Sequence, residues 1–266
     1  MSPTRRGAEA AAFVGLWVAL GYALPVGSDA YLLLGVPLTV AFQLGVRRRP
    51  LRELWVRGAT SFRVDGRGWL VAGLLALAPL WHVVHAVSDG AWTSAGWWSC
   101  GVAGAVLAAF ALRASTLGAV LRSALLPTLV GSVGMAAFYG TAQVVGGGVL
   151  DPLVVVGTIA KYVAFYFPVT FVLEEVTFRG SLDTHVDAGR NGRASAVFVS
   201  ALWGLWHLPV SGGLPLPLLV AELLAWHIVV GVPLSRSWRR SGNLAGPALA
   251  HSAVDAVRNA LMVGLG

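Results

Sequence analysis

Two adjacent carboxylates and an arginine lie within a strongly apolar stretch, the segment FVLEEVTFRG of residues 171–180. Burying an ionised side chain in a bilayer costs roughly 2.5–3.5 kcal/mol on insertion scales, so such residues usually have a function. On a helix, Glu175 and Arg179 share a face, where an ion pair lowers the cost of burying both. Glu174 points about 100° away and has no such cation, an environment that suits a general base.

A purely structural interpretation of this cluster is also open. Buried salt-bridge networks hold helices together, and they perturb ionisable groups without doing any chemistry. Which interpretation is correct depends on whether other polar side chains reach the same depth in the membrane.

A histidine on the next apolar helix is placed to meet the glutamates. Glu175 lies sixteen residues before Asn191, the expected turn between the two helices, and His207 lies sixteen residues after it. On antiparallel helices both positions are about 24 Å from the turn. The glutamates and His207 should therefore come level, and Trp203, one turn before His207, can pack on its ring.

A second histidine, His251, is followed one turn later by Asp255. That carboxylate can hold one ring nitrogen and leave the other facing a cavity. Arg258 can neutralise Asp255, which would weaken a catalytic role for it. Each intramembrane histidine also has a simpler interpretation, a hydrogen bond between helices. Glu222 and His227 are five residues apart, so we expect them to diverge and rank them below the others.

The elements that carry these residues are long apolar helices. Of the 266 residues, 56% are hydrophobic and 12% are charged, which is too little polar surface for a soluble globule. We predict an all-α polytopic membrane bundle of eight or nine transmembrane helices. About five of them form an N-terminal region, 1–150, and the rest form a catalytic core, 151–266. A helical stretch over 151–187 is longer than the bilayer needs, so it must tilt, protrude or bend, most obviously at Pro168.

Membrane topology explains the net charge of +7, so the charge does not indicate a protein that binds nucleic acid. The basic residues other than Lys161, Arg179 and Arg258 fall in segments that the positive-inside rule places in the cytoplasm, together with the N-terminus. The most basic loop, 47–67, carries seven arginines. It is a topogenic loop, or alternatively its Trp and Leu residues lie in the headgroup region beside anionic lipid. Residues 236–240 should form another basic loop.

Three ordered motifs give the chain a resemblance to a known family. The motifs EExxxR, aromatic-xxxH and HxxxN/D are formed here by Glu174, Glu175 and Arg179, by Trp203 and His207, and by His251 and Asp255. In this order and spacing the chain resembles the CPBP family of intramembrane proteases. That family includes the type II CAAX prenyl endopeptidases and bacterial bacteriocin-processing or immunity proteins. The resemblance covers roughly residues 153–263, and the first 150 residues take no part in it.

The resemblance implies a glutamate-type enzyme in which Glu174 and His207 activate water. His251 and the residue at position 255 would stabilise the oxyanion, and the other two EExxxR residues would support them. The chain departs from the pattern with Trp203 for Phe, a tolerable exchange, and with Asp255 where the better-understood members have Asn. An ionised Asp cannot donate to an oxyanion, so Asp255 is either protonated or orients His251.

We therefore expect an integral cell-membrane endopeptidase that acts on membrane-associated peptides or proteins, prenylated or leader-bearing, without a cofactor. A catalytically silent immunity or scaffold protein and a proton-coupled transporter are the alternatives. Zinc held by Glu174, His207 and His251 is the alternative to a metal-free site, although no HExxH pair is present. The single cysteine, Cys100, excludes a disulfide framework and a cysteine-rich metal site.

Overall fold

The computed structural model describes residues 3–24, 26–146, 151–187 and 192–262, which form an all-α bundle, as predicted. The α-helices are α1 (Pro3–Ala23), α2 (Ser28–Ala41), α3 (Gly66–Ser88), α4 (Trp92–Arg113), α5 (Leu117–Met135), α6 (Thr141–Val145), α7 (Pro152–Thr170), α8 (Thr184–Val186), α9 (Gly192–Trp206), α10 (Leu216–Ser241) and α11 (Ala245–Met262). π-Helical turns over Phe42–Val46 and Ala136–Gly140 extend α2 and α5. The predicted turn at Asn191 lies outside the described residues.

Six helical segments of the described residues are long and apolar enough to cross a membrane: Ser28–Val46, Gly66–Ser88, Trp92–Arg113, Leu117–Gly140, Pro152–Thr170 and Leu216–Ser241. α9 is shorter than these, at 15 residues. The polar residues of α11, among them His251, Asp255 and Arg258, lower its hydropathy. The chain is thus a membrane bundle, and the count of eight or nine spans stays a prediction.

α11, which carries His251 and Asp255, packs mainly between α5 and α7, while α9 packs against α10 and the segment that follows Glu175. α11 contacts α5 and α7, α10 contacts α9 and α5, and α4 joins α3 to α7. The helices that contact α11 therefore restrict the direction in which its side chains can point. This packing, rather than the sequence spacing within one helix, determines which polar groups meet.

α1 and α2 pack into the same hydrophobic core as the later helices. Trp17 and Tyr31 lie in one buried cluster with Phe178 and Trp206. Trp17 Nε1 donates to the carbonyl of Tyr31 at 3.0 Å, and Tyr31 Oη donates to the carbonyl of Trp206 at 2.7 Å. The first helices therefore support the segment that carries the aromatic-xxxH motif. The domain boundary after residue 150 stays a prediction, and 147–150 lie outside the described residues.

The stretch 151–187 is interrupted immediately before the two glutamates. α7 ends at Thr170, residues 171–173 form a turn, and helical structure resumes at Glu174 and continues as a π-helical segment over Val176–Asp183. We expected a bend at Pro168, but the chain leaves the helix instead. The carbonyl of Phe171, freed by the break, accepts a hydrogen bond of 2.7 Å from Trp55 Nε1. Both glutamates thus lie in the first turn of a new helical segment.

The basic loop packs against protein at the positions that the sequence allowed to contact lipid. Leu54 is only 1% exposed, and Trp55 is bound to the break before the glutamates. A Cβ atom at Gly180 would lie 2.3 Å from the carbonyl oxygen of Leu54, so this close approach requires glycine. Leu54 is therefore buried in protein and not exposed to lipid, which favours the topogenic alternative for that residue.

The prediction of a loop over residues 236–240 is also wrong. α10 continues to Ser241 and ends at Gly242, which adopts the left-handed conformation with φ of 62°. Arginines near the C-terminus of a helix are favoured by its dipole. Arg239 is further held by two hydrogen bonds to the carboxylate of Asp183, at 2.9 and 2.6 Å. These interactions keep the basic segment helical.

Candidate active site

The carboxylate of Glu174 lies at the centre of the polar cluster, and its side chain is 21% exposed. Its Oε2 atom accepts a hydrogen bond of 2.9 Å from Trp203 Nε1. The same oxygen lies 3.9 Å from His207 Nε2 and 4.0 Å from His251 Nε2. The structure thus brings the glutamate level with His207, as the count from the predicted turn indicated, and adds the second histidine.

His207 directly follows α9 and turns one ring nitrogen towards Glu174. Its Nδ1 atom lies 2.9 Å from the carbonyl oxygen of Trp203, so Nε2 is the nitrogen that faces the carboxylate. The rings of Trp203 and His207 meet edge-on with centroids 6.0 Å apart. Trp203 therefore packs near His207, as expected, but its hydrogen bond goes to Glu174.

His251 is oriented by Glu175, a partner that the sequence did not indicate. The Nδ1 atom of His251 lies 3.0 Å from Glu175 Oε1. Asp255 Oδ2 lies 3.5 Å from His251 Nε2, which is long for a hydrogen bond. We expected Asp255 to hold this ring, whereas Glu175 holds it. Asp255 instead pairs with Arg258 at 3.3 Å, as the spacing predicted.

The predicted ion pair between Glu175 and Arg179 is present and fully buried. Arg179 Nε lies 3.5 Å from Glu175 Oε2, and both side chains are 0% exposed. The guanidinium carbon lies 4.9 Å from the ring centroid of Trp203. Within the described part of the chain, none of the guanidinium nitrogens has a hydrogen-bond partner. Charge and stacking therefore hold Arg179, and loss of Glu175 would leave it uncompensated.

His227 belongs to the wall of the site, although its spacing from Glu222 suggested otherwise. Its ring centroid lies 4.2 Å from that of His207 and 4.6 Å from that of Trp203. The sequence signal for this contact is Gly204, where a Cβ atom would lie 2.6 Å from the carbonyl oxygen of Leu223 on α10. A glycine between the bulky residues Trp203 and Leu205 marks the point at which a neighbouring helix comes close.

Two cavities reach the cluster. One, of about 330 Å³, is lined by Glu174, Asp255 and Arg258 and extends to Asp29 at the start of α2. The other, of about 510 Å³, is lined by His207, by Arg258 and by both Glu222 and His227 of α10. Glu222 and His227 therefore face the same space despite their five-residue separation. A substrate has room to approach the cluster from either cavity.

The arrangement is suited to acid–base chemistry on a water molecule. A water that hydrogen-bonds at about 2.8 Å to Glu174 and to a histidine fits the separations of 3.9 and 4.0 Å between these groups. The described residues contain no group of three or more His, Cys, Asp or Glu side chains arranged to hold a metal ion. Glu175 and Arg179 lie behind the cluster and contribute charge and orientation.

Residues 156–257 match the family described as Type II CAAX prenyl endopeptidase Rce1-like. The matched segment contains the whole cluster from Glu174 to Asp255, and the match confirms the resemblance that the three motifs indicated. It supports a function of the type II CAAX protease kind and, with the six apolar helices, an integral membrane protein. No curated protein and no solved structure matches the chain.

Proposed function

We propose that the chain is an intramembrane endopeptidase of the glutamate type, which hydrolyses peptide bonds of membrane-associated peptides or proteins. The observation that carries this proposal is the approach of two imidazole Nε2 atoms, from His207 and His251, to one oxygen of Glu174 at 3.9 and 4.0 Å. Three polar groups from three separate segments of the chain thus surround one water-sized site. A structural salt bridge does not require that convergence.

Glu174 is the general base in this mechanism. It takes a proton from a water molecule held between its carboxylate and His207, and the resulting hydroxide attacks the carbonyl carbon of the scissile amide. The hydrogen bond from Trp203 fixes the orientation of the carboxylate. Glu174 then returns the proton to the leaving amine, so the reaction needs no covalent enzyme intermediate.

His251 stabilises the negative charge that develops on the carbonyl oxygen. In its imidazolium form it donates from Nδ1 to Glu175 and presents Nε2–H to the oxyanion. Asp255 forms an ion pair with Arg258, and a carboxylate accepts hydrogen bonds but cannot donate one. The donor role therefore falls to His251, and Asp255 balances its charge.

The two cavities support a substrate that comes from the bilayer. The larger one is lined by apolar side chains such as Met135, Phe138 and Trp226 beside His207. An extended peptide with a lipid group or an apolar leader segment would bury its hydrophobic part there. The substrate class that we propose is accordingly a membrane-associated peptide, prenylated or leader-bearing.

Cleavage of a membrane-peptide library by the purified protein, with the products mapped by mass spectrometry, tests this function. Glu174→Gln or His207→Ala should lower the cleavage rate by about 10²- to 10⁴-fold, the usual scale for a positioned acid or base. Glu9→Gln, a change of the same kind on α1, is the matched control and should keep full activity. Full activity of Glu174→Gln at equal expression would overturn the proposal. Substrate flux in proteoliposomes without cleavage would instead support the transporter alternative.

A further inference from the structure

A third cavity, rich in charged side chains, lies where α1, the end of α2, the basic loop and α8 meet, and the proposed peptidase mechanism does not use it. Its volume is about 440 Å³, whereas one water molecule takes up roughly 30 Å³ of the liquid. The charged and titratable residues that line it are Arg6, Arg47, Arg49, Arg57, Glu53 and His185. Four arginines against one glutamate leave the lining net positive.

Three of these arginines have no anionic partner among the residues that the structure describes. Arg6, Arg49 and Arg57 form no ion pair with any carboxylate of the described residues. Arg57 packs instead over the Trp238 ring, with its guanidinium carbon 5.2 Å from the centroid. Glu9 on α1 does not serve as their counter-ion, because its carboxylate binds His185 at 2.8 Å and Arg5 at 2.9 Å.

Arg47 is fixed in the wall of the cavity. Its Nη1 atom donates to Gln43 Oε1 at 2.5 Å and to the carbonyl of Gly180 at 3.0 Å. Burial lowers the pKa of Arg47 to about 10, while Glu53 raises this pKa and the charges of Arg49 and Arg57 lower it. The arginines therefore repel one another, and an anion in the cavity would relieve that repulsion.

The position of the cavity corresponds to the surface of the bilayer. Arg47 directly follows the apolar span Ser28–Val46. At the end of that span, Leu44 and Val46 are 50% and 41% exposed. Apolar side chains flanking a group of arginines are expected where acyl chains give way to headgroups.

We propose that this cavity binds a phosphate group, carried either by the headgroup of an anionic phospholipid or by free phosphate. The planar guanidinium presents paired donors that match two phosphate oxygens, so several arginines around one cavity suit this ligand. The negative charge of Glu53 repels an anion from the part of the cavity next to it. The phosphate is therefore placed beside Arg49 and Arg57. The proposal does not depend on peptidase activity.

The test uses the purified full-length protein in a zwitterionic detergent at constant ionic strength. In one arm, phosphatidylglycerol is titrated against phosphatidylcholine, and bound lipid is counted by native mass spectrometry. In the other arm, inorganic phosphate replaces chloride, and thermal unfolding is followed. We expect saturable binding that favours the anion in at least one arm. Saturation by phosphatidylglycerol alone identifies the headgroup, and saturation by inorganic phosphate identifies the free anion.

Two adjacent arginines provide a matched pair of variants. Arg49→Gln should weaken binding about tenfold, the scale of a hydrogen bond to a charged group. Arg48→Gln removes the same charge one residue away, and Arg48 is exposed and does not line the cavity. The affinity of the Arg48→Gln variant for the anion should stay within about twofold of that of the wild type. Equal weakening by both variants, or no saturable binding in either arm, would overturn the proposal.

Discussion

The indole Nε1 of Trp203 donates a hydrogen bond of 2.9 Å to Oε2 of Glu174, the oxygen that also faces His207 and His251. The related motif has phenylalanine at this position, and phenylalanine cannot donate. The tryptophan is therefore more than a tolerated aromatic exchange. In this chain it connects α9 to the proposed general base and restricts the directions in which that carboxylate can point.

We predict that Trp203→Phe lowers kcat for peptide cleavage about tenfold and leaves KM nearly unchanged. An aromatic ring is kept, and the change removes, besides the side-chain volume that Trp206→Phe also loses, one hydrogen bond to a charged group, worth roughly 1.5–3 kcal/mol. The measurement is steady-state kinetics on a single cleaved peptide, normalised to the folded fraction.

Trp206→Phe is the control for this change. Trp206 is 1% exposed, and its Nε1 atom has no hydrogen-bond partner in the described part of the chain. Its replacement should lower the melting temperature by leaving a cavity, without a comparable fall in kcat of the folded protein. If both variants lose kcat equally, the hydrogen bond to Glu174 has no special role.

Glu175→Gln should act mainly on folding. It leaves the fully buried Arg179 without its counter-charge, and breaking a buried pair in this way costs about 3–5 kcal/mol. Glutamine can still accept a hydrogen bond from His251, so the folded fraction should lose less activity than Glu174→Gln does. Thermal unfolding in detergent measures the effect.

The double variant Glu175→Gln with Arg179→Met separates charge from shape. Removing both charges is often nearly neutral for stability, so the double variant should recover most of the melting temperature lost by the single one. An unchanged melting temperature in Glu175→Gln would mean that the buried pair contributes no stability.

Relationships within one helix, or across one antiparallel pair, could be predicted from the sequence. The ion pair of Glu175 with Arg179 follows from the helical repeat. The position of His207 at the same depth as the glutamates follows from the constant rise per residue. These inferences needed no knowledge of how the remaining helices pack. The all-α membrane bundle likewise followed from composition alone.

The partners that come from distant elements could not be predicted. Glu175 contacts His251 of α11, and Trp55, more than a hundred residues away, binds the carbonyl freed by the break at residues 171–173. The spacing within α11 indicated Asp255 instead, because helical spacing predicts only contacts between residues of the same helix. His227 was ranked too low for the same reason, because its contact with His207 depends on how closely α10 packs on α9.

Asp255→Asn should keep peptide cleavage within about tenfold of the wild type, because asparagine supplies the amide donor that an ionised aspartate lacks. Asp255→Ala removes both the charge and the donor, so it should be the less active of the two. The cleavage rates of both variants are compared at equal folded concentration. Loss of activity in Asp255→Asn as deep as that in Glu174→Gln would show that the carboxylate itself is required.

Membrane topology is tested by cysteine labelling in a Cys100→Ser background. Positions 63 and 88 are exposed at opposite sides of the predicted membrane, in the basic loop and at the end of α3. With a cytoplasmic N-terminus, Ser88→Cys should react with an impermeant maleimide in intact cells, and Arg63→Cys should react only after permeabilisation. The reverse labelling pattern would show that the protein has the opposite orientation in the membrane.

The last prediction distinguishes water activated by a glutamate from water bound to zinc. The Nε2 atoms of His207 and His251 both face Glu174, and three such ligands with one open position also describe a catalytic zinc site. Each ligand comes from a different helical segment, so a zinc site would require three segments fixed to a few tenths of an ångström.

We therefore predict that the purified protein contains no stoichiometric zinc and keeps its activity after exhaustive chelation. Metal analysis and peptide cleavage are measured on the same sample before and after treatment with a chelator, and the folded fraction is checked by thermal unfolding. About one zinc per chain, with activity lost on stripping and restored by zinc alone, would make Glu174 a ligand and replace the proposed mechanism with metal-assisted hydrolysis.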